Sequence, residues 1–202
     1  MPAAGTPAIP SVAIAGHRLQ DNLNVSTVPK TITPALLAFC SQISTARPMY
    51  VRSRPASDAQ LSACFDNVAR KVARAGGDIV YGWAIWHVPG LCYEAEHHGV
   101  WRNRQRALLD VSPQLGQVTK IMFLPDPDAV YDPVSFRPNL LKAVNDSLLA
   151  VEFVGLAAAR NDLLNRYRSE YRIAMLTPID QDELGRIDRR MKEIWAEGCV
   201  LL

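Results

Sequence analysis

The chain has 202 residues, of which 49% are apolar and 21% charged, with a formal net charge of +2. That balance supports one globular core of ordinary size without disulfides. It excludes a disordered chain, and it lacks the basic field that would select nucleic acid or an anionic membrane surface.

The start, "MPAAGTPAIPSVAIAGHRLQ", has no basic segment ahead of an unbroken apolar run, and Pro7 and Pro10 interrupt what apolar character it has. Neither a secretory signal nor a membrane-spanning segment is therefore expected. Residues 1–30 read as an irregular arm without a motif. "TPALLAFCSQIS" then spaces its apolar residues as a helix does, after a Thr-Pro start. "RPMYVRSRP" is extended between prolines. The next helix carries Phe65, Val68 and Val72 on one face, with Asp58 or Ser62 as cap and Gly76–Gly77 as stop, which puts Cys64 in its first turn.

After the glycines, "DIVYGWAIWHV", "LCYEAEHHGVW", "RALLDVSP" and "VTKIMFLPD" read as four strands, rich in β-branched and aromatic residues. The loop "PDPDAVYDPVSFRP" closes the sheet. From Asn139 onward the apolar residues recur at three to four residue steps, as one long helix or two stacked ones. A last helix follows "TPID", capped by Asp180 with Glu183 three residues on, and ended by Gly198. The expected organisation is an arm over 1–30, an α+β core over 31–135 and a helical C-terminal segment over 136–202 packed on the core.

Three residues carry the chemistry. At a helix N-terminus, unpaired N–H groups and the helix dipole favour a thiolate, so Cys64 stands where a nucleophile belongs; the bland reading is a small buried hydrophobe. A hairpin turning about Arg104 pairs Arg102 with Arg106, Val100 with Leu108, and His98 with Asp110. Opposed residues share a face, so His98, Asp110, Glu94 and Glu96 lie on one side and His97 on the other. A carboxylate beside an imidazole sets its tautomer and stabilises the imidazolium formed when it takes a thiol proton. A one-residue slip would exchange the two histidines.

"SACFDNV", "EAEHHGVW" and "LLDVSP" give cysteine, histidine and aspartate in the order of the papain-like and transglutaminase-like superfamily, which the chain resembles over about residues 50–132. The stretch is also similar to an uncharacterised bacterial group with "GW-IWE-PG", "EAEFHAVW", "LVDVTP" and "LFLPD" motifs. The resemblance implies a Cys-bearing helix packed on an antiparallel sheet, with Cys64 as nucleophile, His98 as base and Asp110 as orienting acid. Gln60 matches the oxyanion glutamine of papain loosely, being closer to the cysteine, and His87 replaces the group's glutamate.

The implied activity is that of a thiol hydrolase or acyltransferase acting on an amide: a peptidase, amidase, deamidase or transglutaminase. It needs no cofactor, and its substrate is a protein, a peptide or a small amide. The alternative is a binding module on the same fold. No H-E-x-x-H and no Cys-x-x-Cys occurs, and adjacent strand histidines face apart, so a metal site is not expected. Cys40, Cys64, Cys92 and Cys199 are widely spaced, which fits a reducing, cytoplasmic setting, with export lacking a recognisable signal as the other route. The final "CVLL" fits a prenylation box at Cys199, but "KEIWAEG" before it supplies no polybasic second signal, and an apolar helix tail is the plainer reading.

Overall fold

The computed structural model describes residues 26–133, 137–169, 172–173 and 175–200, with the backbone alone at 168–169, 172–173 and 198–200. It is an α+β fold. The elements run α1 (Pro34–Ser41), β1 (Met49–Arg52), α2 (Cys64–Ala75), β2 (Asp78–Val88), β3 (Cys92–Arg102), β4 (Leu108–Leu109), β5 (Lys120–Pro125), β6 (Leu140–Ala143), α3 (Leu148–Arg166), β7 (Arg168–Ser169), β8 (Arg172–Ile173) and α4 (Pro178–Val200). The main sheet has the order β1-β5-β2-β3-β4, with β6 also paired to β3, and every ladder in it is antiparallel.

β2 and β3 form its spine, paired along their whole length from Asp78–Arg102 to Val88–Cys92 and joined by a tight turn at Gly90, whose φ is 74°. The edge strands then meet. The Asp110 N–H donates to the Arg52 carbonyl at 2.9 Å and the Arg54 N–H to the Asp110 carbonyl at 2.8 Å, a parallel bridge that closes the sheet on itself. Its concave face is lined by Val51, Ala84, Trp86, Val100, Ile121 and Phe123.

The opposite, convex face carries α1 and α2. Leu36, Phe39 and Cys40 of α1 pack on Trp83, Ile85, Ala95, Met122 and Leu124. Burying Leu36 or Phe39 stabilises by about 1.5–3 kcal/mol each. Phe65 of α2 settles over Gly99, where a Cβ would come within 3.1 Å of its ring. The α3–α4 pair covers the end of the spine, with Phe153, Ala157, Ile187 and Ile194 against Val88, Leu91 and Cys92.

Four local readings change. Neither Asp58 nor Ser62 caps α2: the cap position is Ala63, which makes no side-chain bond, Ser62 lies in the left-handed region at φ 58°, and Asp58 instead pairs with Arg74 at 2.9 Å. The hairpin register is shifted by two, Arg102 pairing with Leu108, because the turn spans Asn103–Ala107 with Arg106 at φ 70° rather than three residues about Arg104. Leu140–Ala143 is a strand, since β3 offers it an edge, and the helix begins only after Ser147, whose hydroxyl accepts from the Ala150 N–H at 3.3 Å. Thr177 caps α4, accepting from the Asp180 N–H at 3.2 Å, and α4 runs past Gly198 to Val200.

Gly77 sits at φ 86° where a Cβ would lie 2.2 Å from the Arg102 carbonyl oxygen. Gly77→Ala is expected to lower unfolding free energy by about 2 kcal/mol or more. Gly155→Ala, on a helix with nothing within 4 Å of the added Cβ, is expected to raise it by up to about 1 kcal/mol. Urea denaturation of the two variants reads both.

Candidate active site

Cys64 is the first residue of α2 and half-buried. With no side-chain cap at Ala63, the N–H groups of Cys64, Phe65 and Asp66 have no intrahelical acceptor and meet no other acceptor among the described residues. Asn67, one turn on and on the same face, fixes this end of the helix. Its Nδ2 donates to the Gln60 carbonyl at 2.7 Å and to Ser112 Oγ at 3.2 Å, while its Oδ1 accepts the Gln60 N–H at 2.9 Å. The cysteine loop and the aspartate loop are thus tied through one buried amide.

His98 projects from the middle of β3, 2% exposed, opposite Gly82, and its Nε2–H donates to Asp110 Oδ1 at 3.2 Å. The Cys64 sulfur is near enough to the same ring to act on its charge. With Nε2 engaged by the carboxylate, Nδ1 is the nitrogen left for the thiol. Cysteine, histidine and aspartate are therefore brought together.

Asp110 is fully buried and saturated with donors: Oδ1 accepts from His98 and from the Ser112 N–H at 3.1 Å, Oδ2 from Ser53 Oγ at 3.1 Å and Gln114 Nε2 at 2.9 Å. Burial pushes its pKa up, but the His98 ring and these donors outweigh that and hold it below the ordinary carboxylate value. For His98, burial alone pushes the pKa down, while the Cys64 sulfur on one side and Asp110 on the other hold it well above the ordinary histidine value.

His97 does different work on the convex face. Its Nε2–H donates to the Ala129 carbonyl at 2.6 Å, its ring packs on Phe65 and Trp83, and burial lowers its pKa. It pins the loop after β5, which Trp83 also holds by donating to Asp126 Oδ2 at 2.8 Å. That loop carries Tyr131, whose ring stacks on Phe65 with centroids 4.1 Å apart. The Tyr131 phenol is pushed up in pKa by burial and by its neighbours Asp66, the Cys64 sulfur and Asp132. Tyr131 is thus a wall of the cysteine site.

The remaining candidates separate from the triad. Gln60 is exposed, held by main-chain bonds to Asn67, and its side-chain amide makes no hydrogen bond among the described residues. His87 faces Tyr93 at the far end of the β2–β3 spine. Glu94 accepts from Asn139 at 2.7 Å and Glu96 from Trp86 at 2.9 Å, so both serve the concave interior. No group of metal-holding side chains occurs among the described residues. The Cys199 side chain lies outside the described residues, and no helix among them is long and apolar enough to cross a membrane.

Sequence reasoning missed Asn67, Ser53, Gln114 and Tyr131. Asn67 alone had a local signal, lying three residues from Cys64 on one helix face. No family model, curated protein or solved structure matches the chain.

In an NMR pH titration His98 is expected to titrate above, and His87 and His97 below, the ordinary value of 6.5. Because the folded His98 value is raised, its stabilising contribution is full below pH 6.5 and is lost as pH rises through that folded value. For Asp110, lowered, the contribution holds above 3.8 and is lost as pH falls through its folded value. A His98 titration at or below that of His97 would contradict this arrangement.

Proposed function

We propose that the protein is a cysteine-dependent hydrolase or acyltransferase acting on an amide, built on a papain-like or transglutaminase-like core. The observation that carries this is the line from Cys64 at a helix start, through the buried His98 ring, to the donor-saturated Asp110 carboxylate. Such an arrangement moves a proton off a thiol and keeps the imidazole in one tautomer.

Cys64 attacks the carbonyl carbon while its proton passes to His98, and a tetrahedral oxyanion forms. The N–H groups at the start of α2 are the donors placed to receive that charge. His98 returns the proton to the departing amine, the C–N bond breaks, and a thioester remains on Cys64. Water or a second amine, deprotonated by His98, attacks the thioester and releases Cys64. Asp110 takes no proton; it accepts the Nε2–H throughout and stabilises the imidazolium. Tyr131 and Phe65 supply an aromatic wall beside the sulfur, suited to the apolar part of a substrate.

Iodoacetamide at about pH 5.5 tests the thiol, since only a thiolate reacts. Cys64 is expected to be alkylated ahead of Cys40 and Cys92, which are buried, with burial pushing the Cys40 thiol up to about 11 and Cys92 further in the same direction. His98→Ala is expected to lower that rate by about tenfold or more, and His97→Ala to leave it nearly unchanged at a modest stability cost. Asp110→Asn falls between: its amide nitrogen can face Ser53 and Gln114, both able to reverse their hydrogen bonds, so the fold survives while the charge is lost. Equal labelling of all three cysteines in the unchanged chain would favour a binding module.

A further inference from the structure

We infer that Asn67 is a positioning residue of the thiol site: acting through Ser112, its buried amide holds the Cys64 sulfur at His98 and so sets how much of the thiol is kept as thiolate. This rests on the thiol reading proposed above. Asn67, 2% exposed, is itself out of a substrate's reach.

The Asn67 amide is fully committed. Its nitrogen donates to the Gln60 carbonyl at 2.7 Å and to Ser112 Oγ at 3.2 Å, and its oxygen accepts the Gln60 N–H at 2.9 Å and the Arg70 guanidinium. An amide has two N–H donors and two lone pairs, so all four places are taken. Aspartate would lack the donors, and leucine would lack the polar atoms altogether. A reversed amide would set its nitrogen against the Gln60 N–H and its oxygen against the Gln60 carbonyl, so the main chain of Gln60 fixes its orientation. Arg70, whose charge is met by Asp58 at 3.6 Å, polarises the Asn67 carbonyl and so strengthens the amide's N–H donors.

These bonds enclose the cysteine. Gln60 lies four residues before Cys64 and Asn67 three after, so the amide closes the stretch 60–67 on itself, with the left-handed Ser62 inside it at φ 58°. The bond to Ser112 then fastens that closed stretch to the aspartate loop. Ser112, also buried, donates its N–H to Asp110 Oδ1 at 3.1 Å, the same oxygen that accepts from His98 at 3.2 Å. The sulfur is thus carried by one loop and the partner of the imidazole by another, and the Asn67–Ser112 bond joins the two.

What depends on that fastening is electrostatic. The attraction between a thiolate and an imidazolium falls as they separate and as water enters between them. A displacement of about 1 Å in a reacting pair can cost about a hundredfold in rate. Burial alone lowers the His98 pKa, and Cys64 and Asp110 outweigh it only while the sulfur stays beside the ring. Without the fastening the Cys64 thiolate loses part of its imidazolium partner. A role confined to helix stability would instead lower stability and leave the pH dependence of Cys64 unchanged.

The test is the rate of Cys64 alkylation by iodoacetamide in the full chain, read by mass spectrometry at pH 5.5 and pH 9.5, with circular dichroism and urea unfolding on each variant. Asn67→Ala is expected to lose about tenfold or more at pH 5.5 while its rate at pH 9.5, where any thiol ionises, stays within about twofold. Ser112→Ala keeps both Gln60 bonds and is expected to lose about threefold or more at pH 5.5; it decides the matter should Asn67→Ala not fold. The double variant is expected to lose no more than Asn67→Ala, since the two act through one link. Ile187→Ala, buried between α3 and α4, is the destabilised control and is expected to keep the pH dependence of the unchanged chain. Folded Asn67→Ala or Ser112→Ala with unchanged pH dependence, equal losses at both pH values, losses that multiply in the double variant, or an equal change in Ile187→Ala would overturn the positioning role alone. Absence of preferential Cys64 labelling at pH 5.5 in the unchanged chain would overturn the thiol reading and this role together.

Discussion

The Asp110 carboxylate is the point on which the sheet and the site both depend. Its main chain bridges β1 and closes the sheet, and its side chain gathers donors from β3, from the loop after β1 and from its own loop. A lone buried carboxylate costs several kcal/mol of desolvation, and an apolar residue of similar volume would relieve that cost. Four donors, the His98 imidazole among them, offset it instead. An apolar core gains nothing from such an arrangement, so stability alone gives no reason to keep a charge here, whereas the proposed proton transfer at His98 would require one.

The same economy explains the adjacent histidines. On a strand, neighbours necessarily face apart, and β3 divides the curled sheet's inside from its outside. His98, opposite Gly82, turns inward to the carboxylate. His97 turns outward to Phe65, Trp83 and the Ala129 carbonyl. One ring is held above its ordinary pKa by the Cys64 sulfur and the Asp110 carboxylate, while the other is held below by burial. His97 therefore stays neutral where His98 is charged, and a neutral Nε2–H is enough to hold the loop that brings Tyr131 beside the cysteine.

Much of this was legible because it rests on parity rather than on register. The hairpin pairs Arg102 with Leu108 where the tight turn about Arg104 would pair it with Arg106, an error of two residues. Side chains repeat every two residues, so an even slip leaves every face unchanged and His98 still shares a side with Asp110. β2 and β3 were legible to within a residue because Gly77 and Gly90 punctuate a long β-branched and aromatic run. Leu140–Ala143 was not: its apolar spacing suits a helix, and only the open edge of β3 makes it a strand. The cap of α2 was unreadable for the opposite reason, since Ala63 makes no side-chain bond to the helix, Asp58 is engaged by Arg74, and Ser62 lies in the left-handed region.

That missing cap bears on the chemistry. Where Thr33, Ser147 and Thr177 each spend a hydroxyl on the first turn of their helices, the first N–H groups of α2 meet no acceptor among the described residues. Capping typically stabilises a helix by about 1 kcal/mol, and the left-handed Ser62 just before it adds strain of similar order. Asn67 compensates by holding Gln60 through both its N–H and its C=O, which fixes the approach to the helix without touching the N–H groups beside the sulfur. A Ser or Asp at position 63 would stabilise α2 and, by placing an oxygen on those N–H groups, occupy the donors an oxyanion on Cys64 would need. The helix start is thus more stable in principle than the chain makes it, and the stability it forgoes lies at the atoms next to the thiol.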